Sequence, residues 1–413
     1  MSEDRVQVVV VGAGASGLVA AIAAAREGAQ VTLLEGMKKA GSKLLMTGNG
    51  RCNMSTLDPS PEEKYLSADG REAASRVVSS VLQQFTVEDT LRFFEEIGVA
   101  AAAQGPLIYP RSGQAKTVLD ALLAELERLR VKTKYNAKVQ SVFRDPETGK
   151  WRIRTTDWEY AADRVVLCCG SKAAPSTGSD GSGYLLAKEN GHRVTEILPA
   201  LSGLICADPG IAAASGARTR GRIRIEDMPC AEETGEIQWT DYGISGIAAF
   251  QLSRHLTRRP GEHIPVGIDL VPDLTEEEVR ASLEKMVRAS GGNMSRKALL
   301  GAFTHSRVAA FYDRALGKEA SDGYPAEALP ERIAGILKHR TLTVTGVRGC
   351  EQAQVCAGGV ALSEVNPETM ESRLKKGLYF AGELLDADGP CGGYNLQWAW
   401  SSGFAAGKAA GRR

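Results

Sequence analysis

What the chain withholds narrows the field first. Its 50 Lys and Arg are matched by 50 Asp and Glu, so the formal net charge is zero. A large nucleic-acid footprint needs an excess of cations, and that class of partner is set aside. No run of about 18 apolar residues occurs, so no transmembrane span is expected. The N-terminus carries no basic region ahead of an apolar stretch, and cleavage there would remove the first motif. A cytoplasmic protein without a signal peptide is therefore expected. The eight cysteines (52, 168, 169, 206, 230, 350, 356 and 391) include no CxxC and no paired zinc spacing. The five histidines (192, 255, 263, 305 and 339) form no HxH or HExxH, so no metal site is expected. Hydrolase order is missing too: Gly243-Ile244-Ser245-Gly246 lacks the spacing of a GxSxG elbow.

Glycine, by contrast, is plentiful, at 45 of 413 residues. The usual share is about 7%. The excess collects in loops such as 178–183 and 389–393, as suits a backbone that must come close to a ligand. The strongest signal is VQVVVVGAGASGLVAAIAAAREGAQVTLLE at 6–35. The run Val8 to Val11 is apolar throughout, as in a parallel strand buried on both faces. Gly12-Ala13-Gly14-Ala15-Ser16-Gly17 then matches G-x-G-x-x-G between a strand and a helix. Gly12 allows the turn, Gly14 lets backbone approach a pyrophosphate, and Gly17 lets helix lie against strand. The helix start offers free N–H groups and about half a positive charge to that dianion. Glu35, 18 residues beyond Gly17, ends the next strand, where a carboxylate accepts the adenosine ribose hydroxyls. This unit indicates a dinucleotide without separating FAD from NAD.

Several further stretches set expectations. The loop 36–55 carries Lys38, Lys39, Lys43 and Arg51 and contains Gly48-Asn49-Gly50-Arg51-Cys52-Asn53, suited to charge-assisted contacts near a pyrophosphate. One amphipathic helix is expected over 73–98, with Val78, Val81, Leu82, Phe85, Leu91, Phe94 and Ile97 on its apolar face. A β-meander follows from about 131 to a buried strand at 165–169. In it, Cys168-Cys169 reads as a pair of small hydrophobes rather than a redox couple. In an FAD domain, the backbone near Val139 would lie against the adenine. Composition changes at 194–270 to short strands and turns, and Thr275 with Glu278 forms a capping box opening a helical stretch. These features divide the chain into a discontinuous cofactor domain, 1–193 and 345–413, a β-rich insert, 194–270, and a helical part with a return strand, 271–344.

The C-terminal stretch GLYFAGELLDADGPCGGYNLQWAWSSGFAAGKAAGRR, 377–413, selects the cofactor. Its strand would join the first sheet and put Glu383 beside a ribityl chain. Its helix, starting near Gly392-Gly393-Tyr394-Asn395, would aim its positive end at a flavin pyrimidine edge and favour the reduced ring. Leu396, Ala399, Trp400, Gly403, Phe404 and Gly407 lie on one side of that helix. An NAD enzyme has no need of a second helix start there, so FAD is preferred.

These segments, with GSKLLMTGNGRCNMS, LIYPRSGQAKTVLDAL, GSDGSGYLLAKENGH and GEIQWTDYGISGIAAFQLSR, resemble the BaiN, YhiN and aminoacetone oxidase family of FAD-dependent oxidoreductases over nearly the whole chain. The resemblance implies an α/β fold: a glutathione-reductase-like Rossmann FAD domain with an inserted β-barrel-like part and a helical part. It implies FAD contacts at Gly12, Gly14, Ala15, Ser16, Gly17, Glu35, Lys43, Gly50, Arg51, Cys52, Asn53 and Val139. Further contacts fall at Gly170, Gly382, Glu383, Asp388, Gly393, Asn395 and Leu396. Cys356 and Cys391 stand where the family often has Thr.

The family points to more than one chemistry, either reduction of a conjugated C=C bond in a bile-acid-like ketone or oxygen-dependent oxidation of an amine such as aminoacetone. Reduction requires a proton donor near the ring, for which Tyr394, Cys391 and Asp388 are candidates. Amine oxidation requires an aromatic-walled cavity, for which Trp239 and Tyr242 are candidates, although ordinary strand packing explains both equally well. No second nucleotide-binding domain is visible, so NAD(P)H would act as a transient reductant. A flavin redox sensor or RNA-modification partner is the third class, with RNA disfavoured by the neutral charge. The expected partner is a small-molecule substrate, and the sequence leaves oligomeric state open.

Overall fold

The computed structural model describes residues 5–319 and 328–413. The chain divides into two compact units, one running up to Leu198 and resuming at Gln354–Arg413, the other Pro199–Ala353. The seams lie a few residues beyond those drawn from composition, because the strand Arg340–Val347 is a member of the second unit's barrel.

The first unit is built on a five-stranded parallel sheet, ordered Leu378–Phe380, Arg164–Leu167, Gln7–Val11, Gln30–Leu34, Lys132–Lys134. Val9 pairs with Val165 on one side and Thr32 on the other, and Val166 with Tyr379. Val8, Val10, Val165, Val166 and Leu167 are all buried, as the apolar runs require. The C-terminal strand thus joins the sheet that the N-terminal strand begins. A meander of Val139–Arg144, Trp151–Thr155 and Glu159–Ala162 leads into the strand at Arg164, and a small sheet pairs Leu107–Pro110 with Ser55–Thr56 and Ala101–Gln104.

The single helix expected over 73–98 is two helices, Arg71–Gln84 and Val87–Glu96. Thr86 starts the second: its hydroxyl accepts from the Asp89 N–H at 3.1 Å, and Asp89 accepts from the Thr86 N–H at 3.1 Å. A capping box is worth more to the chain here than an unbroken helix. The break frees the Phe85 carbonyl, which accepts from Ser401 Oγ at 2.7 Å and Gln397 Nε2 at 3.3 Å. It therefore anchors the C-terminal helix.

The second unit holds a closed six-stranded barrel, ordered Leu204–Cys206, Gly243–Ser245, Met228–Trp239, Arg218–Ile225, Ile264–Asp269, Arg340–Val347. Closure leaves no unpaired strand edge. Helices Ile247–Leu256, Glu276–Ala289, Arg296–Gly301, Ser306–Glu319 and Leu329–His339 accompany it. Thr275 and Glu278 cap the second of these reciprocally, as their spacing predicts. Among the described residues, no helix is long and apolar enough to cross a membrane.

Candidate cofactor and active site

The glycine turn separates three roles that one motif combines. A Cβ at Gly12 would come within 2.5 Å of the Cys168 carbonyl oxygen, and one at Gly17 would overlap the Gly12 carbonyl oxygen. Both glycines are therefore structural. Gly14 differs: its backbone is ordinary (φ −83°, ψ −170°), and a Cβ there would meet nothing within 4 Å. That open space lies at the N-cap of helix Ala15–Arg26, which no side chain caps. An uncapped helix start behind free space fits a pyrophosphate.

Glu35 closes the site at the neighbouring strand end. Its carboxylate accepts from the Ala13 N–H at 2.7 Å and the Met37 N–H at 2.8 Å. Burial pushes its pKa up, while N–H groups of Met37, Ala13 and Gly36 pull the other way. The Glu35 carbonyl accepts from Ala137 N–H at 2.8 Å, bringing buried Val139 to the same edge. The loop after strand Arg164–Leu167 also reaches it. Ser179 packs against Gly170, Gly178 against Met37, and Lys138 pairs with Asp180 at 2.6 Å. Burial, with the Glu35 and Asp180 carboxylates, pushes the Cys169 thiol up to about 12, so it stays protonated. Among the described residues, all eight cysteines are thiols rather than disulfides.

The C-terminal helix, Tyr394–Gly411, meets the first helix through small residues. Cβ atoms at Gly403 and Gly407 would overlap backbone of Ser16 and Ala20, and one at Gly411 would lie 2.7 Å from the Ala24 carbonyl oxygen. Both series advance by four residues, one turn each, so the helices run parallel in close backbone contact. Their positive ends thus point the same way. The helix is buried on more than the one side expected: Gln397, Trp398, Ser401 and Ser402 are buried as well. Gln397 accepts from Ser55 Oγ at 2.6 Å and donates to Thr90 Oγ1 at 2.8 Å, a network that its polar character in an apolar helix signals. Residues 391–396 are all half-buried.

Around that start, Lys43 pairs with Glu383 at 2.5 Å, and Ser171 donates to the same oxygen at 3.0 Å. Gly382 sits against Ser16, donates to Ser402 Oγ at 2.9 Å and accepts from Trp398 Nε1 at 3.0 Å. With its amide in the satisfied orientation, Asn53 donates to the Ile108 and Ser55 carbonyls and accepts from the Gly393 N–H at 3.2 Å. Asn395 holds both backbone groups of Gly389, at 2.8 Å each. Gly50 shares a short turn with its neighbours. Arg51 is exposed, stacked 4.3 Å from the Tyr109 ring and donating to Gln104 at 2.7 Å. The Cys52 side chain is buried, and burial pushes its thiol up to about 12.

The three proton-donor candidates have different settings. Tyr394 donates from its hydroxyl to Asp58 Oδ2 at 2.6 Å. Burial works against ionisation of Asp58, but that hydroxyl, the Ser60 N–H and nearby Lys64 outweigh it and hold the carboxyl below its ordinary range. Asp388 is buried, its backbone bridged to Leu66. Cys391 is half-buried, with Sγ 3.8 Å from Gln354 Oε1. Asp58 and Ser171 were not singled out in the sequence, where each is an isolated polar residue in a loop.

In the barrel unit, Trp239 is fully buried and donates from Nε1 to Thr219 at 2.9 Å, so it is core rather than a cavity wall. Tyr242 is half-buried beside Gly203. A serine–histidine–carboxylate array exists in the first unit: His192 lies 2.8 Å from Ser372 Oγ and 3.0 Å from Glu364. Ser372 is buried and accepts from the Leu374 and Lys375 N–H groups, so the array is a clasp and not a nucleophile.

Comparison with known proteins identifies the family. The HI0933-like protein Rossmann domain family matches residues 6–409. A 3-dehydro-bile acid delta(4,6)-reductase of Clostridium scindens is 40% identical over 98% of each chain, and a ribosomal RNA dihydrouridine synthase of Escherichia coli is 30% identical over 97% of each. A 3-ketosteroid delta1-dehydrogenase structure from Sterolibacterium denitrificans superposes with a TM-score of 0.50 at 12% identity over 99% of both chains, a likeness of fold. The chain therefore belongs to the HI0933-like Rossmann family and is an FAD-dependent oxidoreductase.

Proposed function

We propose that the protein is an NAD(P)H-driven reductase of a C=C bond conjugated to a carbonyl, acting on a hydrophobic bile-acid- or steroid-like ketone. The observation that carries this reading is the pair of parallel helices starting at Gly14 and Gly393, neither of which makes a side-chain N-cap bond, Asn53 reaching only the Gly393 N–H itself. Once bound and reduced by NAD(P)H, the flavin would supply the hydride for one carbon of the conjugated bond. The turn at Gly12–Gly17 would hold its pyrophosphate and Glu35 its adenosine ribose. The Lys43–Glu383–Ser171 group would hold its ribityl chain, and the first turn at Tyr394 would favour an electron-rich ring.

The other carbon needs a proton. We assign that role to Tyr394: its phenol bonds to half-exposed Asp58, which gives a route for protons from solvent. The relatives' names support the reaction class. One reduces a dehydro bile acid, and dihydrouridine is likewise uridine with a ring double bond saturated. Both are reductions of unsaturated carbonyl compounds, which favours reductase over amine oxidase. The higher identity to the bile-acid enzyme and the zero net charge favour a steroid over RNA.

The test is anaerobic titration of the yellow protein with NADH and NADPH, followed by addition of a 4-en-3-one steroid acid. Bleaching and then reoxidation by the steroid are expected, with Tyr394→Phe slowing only the second step. A flavin that neither nucleotide bleaches, yet aminoacetone reduces with peroxide formed in air, would refute the reductase reading.

A further inference from the structure

We propose that Tyr65 is a positioning residue for Tyr394: the buried hydroxyl of one tyrosine fixes the main chain from which the other presents its phenol. This rests on the assignment of Tyr394 as proton donor and adds what holds that donor in place. Every group involved belongs to the first unit.

The segment that follows Ser55 wraps the start of the C-terminal helix. A Cβ at Gly393 would overlap the Ser55 carbonyl, so the two stretches of backbone meet there with no side chain between them. Asp58 comes next, and its two oxygens are divided. Oδ1 accepts from the Ser60 N–H at 3.0 Å, and Oδ2 accepts from the Tyr394 hydroxyl at 2.6 Å. A short turn, Pro61–Lys64, carries the chain to Tyr65, whose hydroxyl donates to the Tyr394 carbonyl at 2.6 Å. Leu66 closes the wrap by exchanging both backbone hydrogen bonds with Asp388, at 3.0 and 3.1 Å. One stretch of chain thus holds Tyr394 at both ends, by its phenol and by its carbonyl.

Tyr65 is fully buried, its ring centre 6.3 Å from that of Tyr394, edge-on, and 6.1 Å from that of Trp398. Gly389 makes room for the pair: a Cβ there would lie 2.8 Å from the Tyr394 Cβ and 2.9 Å from the Tyr65 ring. The helix itself does not call for the Tyr65 hydroxyl. A helix start is short of acceptors for its N–H groups, whereas the carbonyls of its first turn already receive ladder bonds. The Tyr65 bond therefore adds an anchor to a carbonyl that the helix already satisfies. Phenylalanine would fill the same space. The hydroxyl sets the depth and rotation of the first turn, and with them the direction in which the Tyr394 phenol leaves it. Catalysis is sensitive on that scale, because a misplacement of about 1 Å costs about 100-fold.

The first measurement needs no turnover. Carbon-13 NMR of aspartate-labelled, flavin-loaded protein follows the Asp58 carboxyl, identified by the signal lost in Asp58→Asn. Burial raises the pKa of that carboxyl, but the Tyr394 hydroxyl, the Ser60 N–H and Lys64 together hold it below its ordinary range. Tyr394→Phe removes the hydroxyl, so the midpoint should rise. Tyr65→Phe should raise it too, with Asp58 and Tyr394 both intact. The second measurement is stopped-flow reoxidation of the reduced flavin by a 4-en-3-one steroid acid. Tyr65→Phe should lower the saturating rate by about tenfold or more and leave half-saturation within about threefold. Added to Tyr394→Phe, it should cost less than about twofold, because the group it positions is gone. The proposal is overturned if the Asp58 midpoint stays in place in Tyr65→Phe, or if the saturating rate holds. It is equally overturned if that rate falls by one factor with and without the Tyr394 phenol, the mark of a hydroxyl that serves folding alone. Should Tyr65→Phe not fold, Gly389→Ala, which presses on both tyrosines, must give the same two shifts. Failure of the reductase reading shows separately, as a steroid that the unaltered protein leaves unreduced while Asp58 still responds to Tyr65→Phe.

Discussion

A methyl group at Gly14 should remove the cofactor and leave the protein standing. Gly14 has φ −83° and ψ −170°, open to any residue, and no atom lies within 4 Å of where its Cβ would be. Alanine weakens the N-cap by about 1 kcal/mol, and the reduced freedom of the unfolded chain returns about 0.4–1 kcal/mol. Folding stability should therefore hardly move. The methyl would occupy the space in which a pyrophosphate meets the uncapped N–H groups. Two charge-assisted hydrogen bonds, at about 1.5–3 kcal/mol each, are then lost or lengthened. At about 1.4 kcal/mol per decade, FAD affinity should fall by about two to four orders of magnitude. Gly17→Ala is the contrast, since its Cβ would overlap the Gly12 carbonyl oxygen and the turn itself must break. The assay pairs an FAD titration followed by absorbance with thermal melts of flavin-free protein. The reasoning is refuted if Gly14→Ala binds FAD within threefold of the unaltered chain, or if its flavin-free form melts as low as Gly17→Ala.

Other expectations follow from the same geometry. Glu35→Ala should weaken FAD by about 1.5–3 kcal/mol through loss of a charged acceptor, read in the same titration. Gly407→Ala forces a Cβ into the Ala20 backbone, which should cost about 1–3 kcal/mol and lower the melting temperature by about 2–4 °C per kcal/mol, with or without flavin. His192 has its pKa lowered chiefly by burial, with the Glu364 carboxylate opposing. Because the folded pKa lies below the unfolded one, the neutral clasp stabilises above about pH 6.5, and that stability drains away as pH falls. His192→Gln should flatten the melting-temperature profile between about pH 7 and 5; an unchanged slope would place the titration elsewhere.

Local periodicity made part of this protein readable in advance. The buried run at Val8–Val11, the spacing from Gly12 to Gly17 and the acid at Glu35 belong to one strand–turn–helix–strand unit, so sequence spacing carries them directly. The same holds for the Thr275–Glu278 box. Long-range partners were less readable. The helix over 73–98 breaks because Thr86 and Asp89 can cap, and because the freed Phe85 carbonyl has a use more than 300 residues away, at Ser401 and Gln397. Nothing near residue 85 announces that partner. Ser171, which bonds Glu383 across 212 positions, is equally silent in its own loop. Trp239 misleads for a different reason: a tryptophan between turn residues suits a cavity wall and a barrel core alike, and only closure of the barrel around it decides. The small residues of the C-terminal helix join these cases. Gly403, Gly407 and Gly411 lower helix propensity in isolation, yet four-residue spacing matches Ser16, Ala20 and Ala24 on the first helix. Their cost in propensity brings the two backbones together, and that contact aligns both positive helix ends. The proposed cofactor site is thus a product of a helix pair encoded at opposite ends of the chain, with the barrel-bearing segment inserted between them.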